Sequence, residues 1–95
     1  MSTRTQRTET AVLPATEASV GEARRWLSKI LDNHPRSDDA VLLLSEAATN
    51  SVLHTGSPHI SITVTIEKNH DVLGAVRSSD LGEARWLVEL GCGAF

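Results

Sequence analysis

Tyrosine is missing from this chain, and two tryptophans and one phenylalanine are the only aromatic residues among its 95 positions. With 3% aromatic content, the core has to be assembled from aliphatic side chains. The lone cysteine, Cys92, excludes an internal disulfide and, without companion cysteines, a thiolate zinc site. It reads as an incidental thiol, because lone cysteines carry chemistry only in an activating environment. Positive charge is also scarce: 9 Lys and Arg face 12 Asp and Glu, for a net charge of -3. The basic residues are scattered, which argues against a phosphate-binding nucleic-acid surface. No apolar run approaches the ~18 residues of a membrane span. The polar start, MSTRTQRTET, lacks the apolar core of a signal peptide. A cytoplasmic chain with no membrane and no nucleic-acid partner is the expectation.

The 40% hydrophobic and 22% charged residues suit one small globular domain, which buries a little over ~60% of the surface its unfolded chain exposes. Residues 1–9 are polar and read as a disordered tail, and Thr10 to Leu13 form a short strand that Pro14 ends or confines to an edge. In SVGEARRWLSKILDNHP, Ser19 and Glu22 make a capping box, and Ala23, Trp26, Leu27, Ile30 and Leu31 share one helical face before Pro35. A second helix begins at a Ser37 cap, with Asp38 and Asp39 against the positive end of its dipole, and runs to about His54. Its apolar residues cover more than one stripe, so it should pack on two sides, and Gly56 supplies its stop.

HISITVTIE then alternates Ile60, Ile62, Val64 and Ile66 with Ser61, Thr63 and Thr65, the period of a half-buried strand. Lys68 to Asp71 read as a hairpin turn into a strand at Val72 to Val76. Asp80 and Glu83 offer a further cap, and Leu81, Ala84, Leu87 and Val88 suggest a short closing helix ending at Gly91. GEARRWL at 21 to 27 nearly repeats as GEARWL at 82 to 87, too few copies for a repeat architecture.

Within SEAATNSVLH, Glu46, Asn50 and His54 are four residues apart. Each step advances about 6 Å along a helix and drifts ~40° around it, so the three form one polar ridge. On periodicity alone, Glu46 can be a solvated surface residue, Asn50 a hydrogen-bonding partner for a loop, and His54 a favourable charge at the negative helix end.

The string SEAATNSVLH closely resembles the N box of the histidine-kinase-like ATPase superfamily, also called GHKL, and is most similar to its anti-sigma-factor serine/threonine kinases. The similarity extends back through LPATEASVGEARRWLSKIL and forward through HISITVTIE, in the family's order of strand, helix, N-box helix and strand. The fold it implies is α+β, a two-layer α/β sandwich of the histidine-kinase-like ATPase type, incomplete at the C-terminus. Residues 10–95 would be a partial domain whose stretch 72–95 diverges. By the same resemblance Asn50 matches the magnesium ligand, Glu46 the general base, and His54 a frequently basic position at the helix end. ATP and Mg2+ are the implied cofactors. A sigma factor and an anti-sigma-factor antagonist are the implied partners, and a homodimer is possible by resemblance.

The family's D-x-G-x-G loop, whose aspartate contacts adenine, corresponds here to VRSSDLGEAR. Asp80 and Gly82 supply D-x-G only, and a different alignment places Ser78 at the aspartate position. The chain reaches GCGAF without a second Gly-rich loop. These departures lead us to expect a truncated member, its tail beyond Val72 from a shifted reading frame, with ATP binding weak or lost. The alternatives are a non-catalytic protein-binding module and a fragment unable to hold a stable core.

Overall fold

The computed structural model describes residues 7–67 and 70–89. Its order is β1 (Arg7–Pro14), α1 (Glu17–Ile30), α2 (Ser37–His54), β2 (His59–Ile66), β3 (Val72–Ser78) and β4 (Gly82–Val88). The strands form one antiparallel sheet in the order β1-β2-β3-β4. Helix α2 packs against β2, β3 and β4 on one side and against α1 on the other. The architecture is therefore α+β, and the breadth of apolar residues on α2 has the two-sided packing it called for.

Alternation along the strands decides which face is covered. Ile60, Ile62 and Val64 of β2, Val72 and Val76 of β3, and Val88 of β4 are buried under the helices. From α1 and its end come Ala23, Leu27 and Leu31, and from α2 come Ala40, Leu44 and Ala48. The opposite face of β1 and β2 is a hydroxyl ladder, with Thr8 paired to Thr65 (3.1 Å) and Thr10 to Thr63 (3.4 Å) between side-chain oxygens. Pro14 closes β1 at the sheet edge, where its missing N–H costs no ladder bond.

Several boundaries differ from the sequence reading. Strand β1 starts at Arg7, so residues 7 to 9 are paired with Ile66, Thr65 and Val64 instead of belonging to a tail; residues 1–6 lie outside the described residues. Thr16, not Ser19, is the N-cap of α1. The chain turns immediately after β1, and Ser19 is drawn into the helix, buried, with its hydroxyl 3.2 Å from that of Thr16. Helix α1 stops at Ile30, ahead of Pro35, and Asn33 follows in the left-handed region (φ 72°). Arg36 rather than Ser37 caps α2. The Arg36 backbone N–H donates to His34 Nδ1 (3.0 Å), and its guanidinium binds Asp39 (2.6 Å) and the Glu89 carbonyl (2.7 Å). Gly56 is not the stop of α2 either: Thr55 leaves the helix in an extended conformation (φ -85°, ψ 145°).

The largest correction concerns residues 82 to 88, which form strand β4 and not a closing helix. Pairing with β3 satisfies the backbone, and side chains alternate so that Trp86 and Val88 lie opposite Gly74 and Val72. The turn from β3 needs a left-handed residue, and Gly82 supplies it with φ 81°. Space is not the reason, since a Cβ there would meet nothing within 4 Å; the requirement is conformational, worth ~1–2 kcal/mol for an L-residue. Gly91 and Cys92 lie outside the described residues.

Candidate functional site

Ala40, Leu44, Ala48 and Ser51 form the buried stripe of α2, and Ala47 and Val52 pack half-buried beside it. Glu46, Asn50 and His54 are all exposed. No hydrogen bond or ion pair engages the side chain of any of them among the described residues. Asn50 and His54 line one wall of a cleft of about 480 Å³, together with Ser51. The facing wall is the beginning of β4: Leu81, Gly82, Glu83 and Ala84. Glu46 sits one helical turn before Asn50 and is not among the lining residues. Asn50 and His54 are thus brought together, while Glu46 is exposed outside the cleft lining.

Asp80 is held at the end of this arrangement by two hydrogen bonds. The Thr55 hydroxyl donates to one carboxylate oxygen (2.5 Å) and the Gly56 N–H to the other (2.6 Å). These donors, Thr55 first and Gly56 next, hold its carboxyl below the usual value of 3.8. Ser79 adds a hydroxyl contact to Ser57 (3.1 Å) beside the same junction. The β3–β4 turn is thereby fastened to the C-terminal end of α2, the helix end that carries Asn50 and His54. Thr55 and Gly56 escaped the sequence reading as partners of Asp80, although H-T-G after a helix and D-L-G after a strand were both available turn signals.

A pH dependence follows from the Asp80 clamp. Because the folded carboxyl titrates below its unfolded value, the clamp contributes fully above about pH 4 and is lost as pH falls through the folded value. Asp80→Asn should flatten that acid limb. Denaturation midpoints measured at pH 6 and pH 3 should separate less in the variant than in the parent, and equal separation would show that the clamp does not form.

One oxygen donor suited to a hard cation lies on the cleft wall. The Asn50 carboxamide oxygen is a hard donor exposed on a cleft wall, and magnesium needs only one or two protein ligands when phosphates and waters complete its octahedron. Among the described residues no group of three or more His, Cys, Asp or Glu could hold a metal by itself. Asp80 is turned onto Thr55 and Gly56 and is absent from the cleft lining, while Ser78 is buried with its oxygen accepting from the Leu81 N–H (3.3 Å). A second groove, of about 500 Å³ on the outer sheet face between Thr63, Leu73, Ala75 and Leu87, holds none of the candidate residues.

Fold and cleft define an α+β domain whose polar helix edge faces a hairpin turn. No protein-family model matches the chain, and no curated protein gives a significant match. No helix among the described residues is long and apolar enough to cross a membrane.

Proposed function

We propose that this chain is a regulatory protein of the histidine-kinase-like ATPase type, akin to anti-sigma-factor serine/threonine kinases, with a weakened nucleotide site. The observation that carries this reading is the placement of Asn50 on a cleft wall with Glu46 exposed one turn earlier on the same helix. Asn50 would hold magnesium, and His54 would border the phosphates. ATP, when bound, supplies the phosphoryl group and the metal neutralises its charge. Glu46 would accept the hydroxyl proton of a serine presented by an antagonist protein, and a sigma factor would be the second partner of such a switch.

Binding at the metal–phosphate end alone should be weak. ATP with magnesium is expected to bind with a Kd near ~1 mM, equivalent to about 4 kcal/mol. An NMR titration should shift the Asn50 side-chain amide and the backbone of Gly82 to Ala84. Asn50→Ala should remove the magnesium-dependent response, and unchanged binding in that variant would reject the assignment. The second reading, a protein-binding module without catalysis, is favoured by one feature: Glu46 lies outside the cleft lining. It predicts no response to magnesium-ATP at all.

A further inference from the structure

We infer that the free edge of β4 pairs antiparallel with β4 of a second copy of this chain, Ala84 opposite Ala84, so that two sheets join into one with all helices on the same side. Such pairing needs no ligand at Asn50 and goes beyond the nucleotide reading.

Strand β4 ends the sheet, and among the described residues no strand pairs with its far side. Its outward N–H and C=O groups are a template for another strand. The opposite edge, β1, carries Pro14, which removes a donor, whereas residues 82 to 88 include no proline or lysine to discourage pairing. The two edges are not equivalent.

Symmetry and charge then select the register. A two-fold axis through the joined sheet sets like faces together, so outward-facing residues oppose outward-facing residues and the pairing must centre on a residue. Glu83, Arg85 and Leu87 lie on the outer face of β4, while Ala84, Trp86 and Val88 turn toward the helices. Centring on Ala84 places Glu83 of each copy against Arg85 of the other. The Glu83–Arg85 pair that each strand already makes (2.8 Å) becomes half of a square of alternating charge. The same register sets Trp86 against Gly82, which has no side chain to obstruct the indole, and Leu81 against Leu87, each about half exposed in the single copy. Neighbouring registers lose this match. Centring on Arg85 opposes two guanidiniums, centring on Glu83 opposes two carboxylates, and centring on Trp86 sets Glu83 against Glu89.

The test is sedimentation equilibrium of the full chain. A ladder over residues 82 to 86 is short, so a monomer–dimer equilibrium with a dissociation constant on the order of 10⁻⁵ to 10⁻⁴ M is expected. Glu83→Arg and Arg85→Glu should each weaken it by about tenfold, because each leaves like charges opposed. Association should return to the parental level in an equimolar mixture of the two single variants, and also in the double variant Glu83→Arg/Arg85→Glu, since both arrangements put opposite charges across the strands again. A parent chain that stays monomeric up to about 1 mM overturns the inference. So does a dimer indifferent to the single reversals, and so does failure of either restoration. Cooperative thermal unfolding checks that each variant is folded; should one single variant fail that check, the other single variant against the double variant gives the same comparison.

Discussion

Leu44→Ala is expected to cost about 3 kcal/mol, within the range of 2–5 found for buried leucines. Leu44 is fully buried on α2, in the layer where α1 on one side and the sheet on the other meet. The core it belongs to also holds Leu27, Ile62 and Val76 from three other elements, so closing a void there needs more than one element to move. A domain of this size holds only ~5–10 kcal/mol in total. The substitution should therefore remove a large part of the stability, read as a lower urea midpoint with an unchanged slope. Leu42, two residues earlier on the same helix, is 58% exposed. Leu42→Ala should stay within about 0.5 kcal/mol of the parent. Equal losses at the two positions would mean that α2 is rotated from the orientation described, and with it Glu46 and Asn50.

Gly74→Ala is the second large effect, and its cause is crowding, not a void. Gly74 lies opposite Trp86 across β3 and β4, and a Cβ placed there would come within 2.1 Å of the indole Cζ2. The ring must leave its seat, and displacing packed side chains in this way costs about 1–3 kcal/mol. We expect the upper part of that range, because the indole also covers backbone that glycine leaves bare. Its buried Nε1 has no hydrogen-bond partner among the described residues, so no polar anchor resists the displacement. In a Trp26→Phe background, the emission of Trp86 should shift to the red on adding Gly74→Ala. An unchanged spectrum with parental stability would contradict the stacking.

The parts of the fold legible in the sequence are those where one period has no rival. HISITVTI could be assigned because branched residues alternate with hydroxyls over the whole strand, and α2 because its apolar residues exceed one stripe while Asp38 and Asp39 mark its start. GEARWLV was misread because Glu, Ala, Arg and Leu are strong helix formers, and Leu81, Ala84, Leu87 and Val88 imitate helical spacing. Tertiary context decides the matter. The nearly identical GEARRWL is helical within α1, where Ala23 and Leu27 reach α2, whereas GEARWL is extended beside β3, where Trp86 finds Gly74. Alternation of Ala84, Trp86 and Val88 with Glu83 and Arg85 was present as a signal, but the helical pattern concealed it.

For the candidate site, the four-residue spacing did place Asn50 and His54 on one exposed ridge. The opposing wall was invisible because it depended on residues 81 to 84 being a turn and strand. Asp80 was read as the cap of a closing helix that does not form; it instead accepts hydrogen bonds from Thr55 and Gly56. Its partners lie 24 and 25 residues earlier, and no local pattern encodes that contact.

The threonine pairs joining β1 to β2 link residues 53 and 57 positions apart. During synthesis the first strand therefore leaves the ribosome long before its mate, and both helices must be made in between. At about 5–20 residues per second this is a wait of several seconds with an unpaired, threonine-rich edge. Meanwhile the hairpins β2–β3 and β3–β4 can close locally as soon as they emerge, which makes docking of β1 the closure step with the greatest entropic cost.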